Sequence, residues 1–114
     1  MGNLTTHILD TSLGKPAAGI LVEVFSGDDS STKLAEATTN ADGRVDNALL
    51  EGASFNAGSY QLVFHTADYF ARTSVQGANF LPKVIISFNV ANPDEHYHVP
   101  LLLSPFGYST YRGS

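Results

Sequence analysis

Lys83-Val84-Ile85-Ile86-Ser87-Phe88-Asn89-Val90 places Val84, Ile86, Phe88 and Val90 on one side of an extended chain and Lys83, Ile85, Ser87 and Asn89 on the other. Successive side chains of a strand point to opposite faces, so the run reads as a strand with one buried face and one mixed face. Residues 4–10, 19–25, 33–38 and 60–66 carry similar patterns. They are separated by turn signals at Gly14-Lys15-Pro16, Gly27-Asp28-Asp29 and Ala41-Asp42-Gly43. Residues 97–103 and 108–112 complete the set and flank Ser104-Pro105-Phe106-Gly107, a hairpin turn by composition. Pro100 has no N–H to donate, which predicts a bulge or a partial edge at that point. Only residues 67–75 read as helix, one or two turns starting after Thr66 as N-cap. Residues 27–32 are polar and read as a mobile loop. Short strands at regular spacing predict an all-β sandwich.

A chain of 114 residues, 43% hydrophobic, supports one core and one domain, 1–114. Cysteine is absent, which removes disulfides, thiolate metal sites and a cysteine nucleophile together. Stability then rests on packing and on assembly. The net charge of -5 is spread without a basic stripe, so the composition argues against nucleic acid as a partner. No run approaches the roughly 20 apolar residues that span a bilayer, and no apolar segment near the start reads as a secretion signal. The expected location is cytoplasmic, with a periplasmic form whose signal has been removed as the alternative.

Proton exchange near neutrality falls to His7, His65, His96 and His98. His96 and His98 are two apart, so in a strand they share a face while Tyr97 takes the other. Such a pair is open to a metal or to hydrogen bonds within a strand, and no third ligand stands at a recognisable spacing. His7, in the first strand, reads either as structural or as catalytic. Arg44, after the Asp42-Gly43 turn, reads either as a solvated charge or as a site cation.

Three motifs draw these residues together. The first is Leu4-Thr5-Thr6-His7-Ile8-Leu9-Asp10 with Gly14-Lys15-Pro16-Ala17. The second is Thr39-Asn40-Ala41-Asp42-Gly43-Arg44. The third runs from His96-Tyr97-His98-Val99-Pro100-Leu101-Leu102-Leu103-Ser104-Pro105 through Tyr108-Ser109-Thr110 to Tyr111-Arg112-Gly113-Ser114. Together they resemble the signatures of the 5-hydroxyisourate hydrolases, the enzymatic relatives of transthyretin. Transthyretin hormone carriers resemble the chain at Ser104-Pro105 and Tyr108-Ser109-Thr110 but lack the Tyr-Arg-Gly-Ser ending.

The resemblance implies a transthyretin-like (prealbumin-like) sandwich of two four-stranded sheets with one short helix. It further implies a homotetramer, a dimer of dimers, with active sites between subunits. It implies hydrolysis of 5-hydroxyisourate to 2-oxo-4-hydroxy-4-carboxy-5-ureidoimidazoline in urate catabolism, with neither cofactor nor metal. Carried over residue by residue, His7, Arg44, His98 and Ser114 are its catalytic residues, and His7, Arg44, Tyr111 and Arg112 bind substrate. The chemistry suits these side chains. Opening the ring needs water to attack a carbonyl, a histidine to take the proton and a cation to hold the developing charge. His7 or His98 serves as the base, and Arg112 draws the anionic substrate toward an acidic protein. Two other readings stand beside this one: a transthyretin-type carrier of a small aromatic ligand, and an immunoglobulin-like interaction module.

Overall fold

In chain order the strands are β1 (Asn3–Asp10), β2 (Lys15–Pro16), β3 (Leu21–Ser26), β4 (Lys33–Thr38), β5 (Leu50–Glu51) and β6 (Gly58–His65). After the helix α1 (Ala67–Arg72) follow β7 (Lys83–Val90), β8 (Tyr97–Ser104) and β9 (Gly107–Thr110). The structure is a computed structural model and describes residues 1–27, 32–73 and 80–113. Most of the expected loop at 27–32 and the last two residues of the expected helix therefore lie outside the described residues.

Two sheets result. One has the order β4-β3-β6-β7, antiparallel throughout. The other has the order β2-β1-β8-β9 and gains a fifth strand, because β5 also pairs with β1. β2 and β5 are two residues each and share one edge of β1. β2 pairs at Leu9 and Asp10, β5 at Asn3 and Leu4. Between them the chain from Gly43 onward lies against the same edge, with Ile8 N–H donating to the Gly43 carbonyl at 2.8 Å and Leu49 N–H to the Leu4 carbonyl at 2.8 Å.

The alternation in the sequence becomes the partition between core and surface. On β7, Val84, Ile86 and Val90 are buried while Lys83, Ile85, Ser87 and Asn89 are exposed. On β1, Leu4, Thr6, Ile8 and Asp10 point inward. The core also takes Val22, Val24, Leu62, Phe64, Leu101 and Leu103 from strands of both sheets. Burying each such side chain contributes about 1.5–3 kcal/mol, so the inward faces hold the sheets together. The polar inward residues are satisfied: Thr6 donates its hydroxyl to the Val99 carbonyl at 2.7 Å. Asp10 accepts from Ser12, from the Leu13 N–H and from the Tyr69 hydroxyl at 2.6 Å, which ties α1 to the end of β1.

One local expectation is corrected, and of the two alternatives at Pro100 the partial edge holds. Thr66 occupies the N-cap position of α1 but makes no capping bond: its backbone is already helical, at φ -95° and ψ -14°, rather than extended as a capping residue requires, and its hydroxyl donates to the Leu81 carbonyl. Pro100 produces no bulge toward β1, whose parallel ladder passes through His7 opposite Pro100 without a shift. Its effect falls on the other side. The β9 ladder stops at Leu101 opposite Thr110 and resumes only as a single bridge between His98 and Gly113. The hairpin at Ser104-Pro105-Phe106-Gly107 forms as composition predicts, with Ser104 opposite Gly107.

Candidate active site

β1 and β8 run parallel with Thr5 opposite His98 and His7 opposite Pro100. Because side chains alternate, Asn3, Thr5 and His7 share the outer face of this sheet with His96 and His98, while Tyr97 turns inward and is buried. The two histidines that lie 91 residues apart in sequence meet directly: His7 Nδ1 and His98 Nε2 are hydrogen-bonded at 2.7 Å, with ring centroids 4.8 Å apart. His98 Nδ1 bonds Thr5 Oγ1 at 2.7 Å. His96 stacks beyond His98, 6.2 Å between centroids, and bonds Thr5 Oγ1 through Nε2 at 3.3 Å and Asn3 Oδ1 through Nδ1.

Arg44 arrives from the opposite edge. The Asn40 side-chain carbonyl accepts from the N–H groups of Asp42, 2.9 Å, and Arg44, 3.2 Å, folding the Asn40-Ala41-Asp42-Gly43 segment into a tight turn. Gly43 sits at φ +72°, and a Cβ there would stand 2.5 Å from the Ile8 carbonyl oxygen. Only glycine meets both conditions, and the outcome is that Arg44 bridges His7 across the edge of β1.

These residues line one cavity of about 490 Å³, whose walls include Thr5, His7, Arg44, His98, Tyr111 and Gly113. Burial and neighbouring positive charge disfavour the imidazolium form of His7 and His98. Burial, then the Arg44 charge, lowers the pKa of His7 below the usual histidine value. For His98 burial dominates and His7, Arg44 and His96 add to it, bringing the pKa to about 4. Neutral imidazoles beside a fixed guanidinium are a base and an electrostatic clamp in one place.

The pH dependence of stability follows in sign. A histidine whose folded pKa lies below its unfolded value of 6.5 resists protonation in the native state, so stability is intact above pH 6.5 and is lost as pH falls from there toward 4. Urea midpoints are expected to fall over that window, and less steeply in His98→Asn. Identical profiles for the two proteins would contradict it.

Of the residues singled out in the sequence, His7, Arg44, His98 and Tyr111 stand together around the cavity. Arg112 is placed elsewhere. Its guanidinium donates to Glu95 at 3.1 Å and to the His96 carbonyl at 3.0 Å and lies over the Tyr97 ring, 4.0 Å from the centroid. It belongs to a neighbouring cleft lined by Phe88, Tyr97 and Tyr111. Ser114 lies outside the described residues. Thr5 and Asn3 were not singled out, although their alternate spacing with His7 along one strand signals that all three share its face.

Gly113 was also missed, and its role is steric. Its N–H donates to the His98 carbonyl at 2.7 Å, and a Cβ at this position would come within 2.6 Å of His98 Cδ2. The ring cannot yield without stretching its bonds to Thr5 or His7. Gly113→Ala is therefore expected to lower turnover on the order of tenfold to a hundredfold through a displaced imidazole. Steady-state rates equal to wild type would show that the ring has room.

Comparison with known proteins places the chain in a family. The profile of the HIUase/Transthyretin family matches residues 4–113. The chain is 52% identical to 5-hydroxyisourate hydrolase 2 of Rhizobium meliloti, covering 99% of this chain and 97% of that one. It superimposes on the 5-hydroxyisourate hydrolase of Klebsiella pneumoniae with a TM-score of 0.84 at 38% identity, covering both chains completely. It superimposes equally on a transthyretin from Sparus aurata, TM-score 0.84 at 32% identity, covering 99% of this chain and 97% of that one.

Proposed function

The chain belongs to the HIUase/transthyretin family, and from that premise we propose that it hydrolyses 5-hydroxyisourate to 2-oxo-4-hydroxy-4-carboxy-5-ureidoimidazoline, a step of urate degradation. The backbone is shared with transthyretin, so the fold alone leaves carrier and enzyme level. The observation that carries the reading is the His7–His98 hydrogen bond set beside Arg44 on one cavity wall. A carrier has no use for a neutral histidine pair held against a cation.

In the reaction, water adds to the ring carbonyl carbon and passes its proton to a neutral histidine of the pair. Arg44 holds the negative charge that gathers on the carbonyl oxygen. The tetrahedral adduct then collapses, the ring C–N bond breaks, and the leaving nitrogen takes up a proton as the carboxylate forms. General-base catalysis contributes about a hundredfold to ten-thousandfold, and a preorganised cation adds to it without reorganising during the step. No side chain needs to form a covalent bond to substrate. Tyr111, on the cavity wall, orients substrate; Arg112, held by Glu95 beside the neighbouring cleft, adds positive charge that draws the anionic substrate. Ser114 completes the catalytic set in this reading, and residues 1–114 form the single hydrolase domain.

Freshly generated 5-hydroxyisourate supplies the test. Micromolar protein is expected to speed the loss of its ultraviolet absorbance and to leave a product with a circular dichroism signal. Spontaneous decay kinetics together with racemic product would overturn the reading.

The assembly proposed is a homotetramer, a dimer of dimers. Among the described residues β7 and β9 are edge strands of their sheets, and Ile85 and Tyr108 on them are 49% and 47% exposed. Pairing such edges across a two-fold axis covers them. Light scattering should return the mass of four chains, and the mass of one would contradict it. Among the described residues no helix is long and apolar enough to cross a membrane. A cytoplasmic location goes with the reading and is checked by cell fractionation.

A further inference from the structure

Two tautomers of His7 are compatible with its bond to His98, and they differ in chemistry. With hydrogen on Nδ1, His7 keeps a bare Nε2 that can take a proton from water; with hydrogen on Nε2 it cannot. The choice is decided by side chains further along the same sheet face. Asn3 Oδ1 only accepts, so His96 Nδ1 is the donor in their bond. With its hydrogen on Nδ1, His96 presents a bare Nε2, which accepts the Thr5 hydroxyl hydrogen across 3.3 Å. Having donated its one hydrogen, Thr5 Oγ1 accepts from His98 Nδ1–H at 2.7 Å. His98, kept neutral by burial, has a bare Nε2 in consequence and accepts from His7 Nδ1–H at 2.7 Å. Each neutral imidazole has one donor and one acceptor, so the direction set at Asn3 is handed on without a choice at any later link.

We propose that Asn3, Thr5 and His96 are positioning residues whose ordered hydrogen bonds fix the tautomers of His98 and His7, leaving His7 Nε2 as the general base. His98 is thereby the orienting partner, accepting from His7 as a carboxylate would but without adding a negative charge beside an anionic substrate. The strand geometry makes the row continuous. Asn3, Thr5 and His7 alternate along β1, and the parallel register sets His98 directly opposite Thr5. The proposal rests on the hydrolytic reading of this site.

Thr5→Val removes the hydroxyl at nearly constant shape, and Thr5→Ser restores it; Asn3→Leu removes the acceptor at the start of the row. Long-range NMR correlations of the imidazole nitrogens, in the full chain, read the tautomers independently of activity. Wild-type His7 should show a protonated Nδ1 and a bare Nε2. Thr5→Val and Asn3→Leu should mix the tautomers of His98 and His7 and lower kcat roughly tenfold with KM little changed, while Thr5→Ser keeps both signatures. Hydrolysis by a wild-type protein whose His7 is protonated on Nε2 overturns the relay, as do Thr5→Val shifts and kcat equal to wild type. Absence of hydrolysis in the wild type with His7 bare on Nε2 overturns the functional reading, and the base assignment with it, so the two failures are told apart.

Discussion

His98→Asn and Arg44→Lys are each expected to lower turnover of 5-hydroxyisourate at least about a hundredfold. Asparagine cannot take a proton, and its shorter side chain places no group where His98 Nε2 meets His7 Nδ1. Lysine keeps the charge of Arg44 but loses the planar fork that holds an oxyanion with two donors. The two variants should part company in stability. Arg44 is exposed, and substitution there should change stability by no more than about half a kilocalorie per mole. His98 is only 7% exposed and bonds both Thr5 and His7, so its replacement should lower the melting temperature as well. A histidine beside a strand start reads as a surface group from sequence; its burial comes from Gly113 closing over the ring. Activity within a few fold of wild type in both variants would remove these residues from the mechanism.

Deleting Tyr111-Arg112-Gly113-Ser114 should abolish hydrolysis and leave the sandwich folded and assembled. The described part of this segment does three things at the site. Tyr111 walls the cavity, Gly113 bonds the His98 carbonyl, and Arg112 ties the His96 carbonyl to Glu95. Without them the main chain from 95 to 98 loses its outer support just where β8 presents both histidines. The core is untouched, because its residues end at Leu103. Turnover, mass and thermal unfolding measured together decide the matter. A truncated protein that stays assembled and keeps most of its turnover would assign the tetrapeptide no part in catalysis.

Much of the fold is legible without coordinates because a strand has a period of two. The alternation at 83–90 separates buried Val84, Ile86 and Val90 from exposed Lys83 and Asn89 with no knowledge of the neighbouring strand. The same rule puts His96 and His98 on one face and Tyr97 on the other. The catalytic candidates were reached through motif resemblance, since a lone His7 or Arg44 is chemically unremarkable in a strand or beside a turn. Arg112 shows the limit of that route: nothing in the motif says that Glu95, 17 residues away, holds its guanidinium at the edge of a second cleft. Thr66 shows another, because capping depends on the backbone angles of the residue, which the chain's path decides, and Thr66 takes helical ones while its hydroxyl serves the Leu81 carbonyl.

The sequence by itself determined which residues face inward, where the turns fall, and that His7, Arg44 and His98 belong to one family of sites. Only the tertiary structure decided that β1 lies parallel to β8 with Thr5 opposite His98, that the segment after Gly43 runs along the other edge of β1, and that Gly113 packs against the His98 ring. The physical reason is that periodicity is local and pairing is not. A strand carries its own two faces in its pattern, but its neighbour and register are selected by the packing of the whole core, and a slip of one residue along β8 would turn His98 inward and dissolve the row that ends at His7.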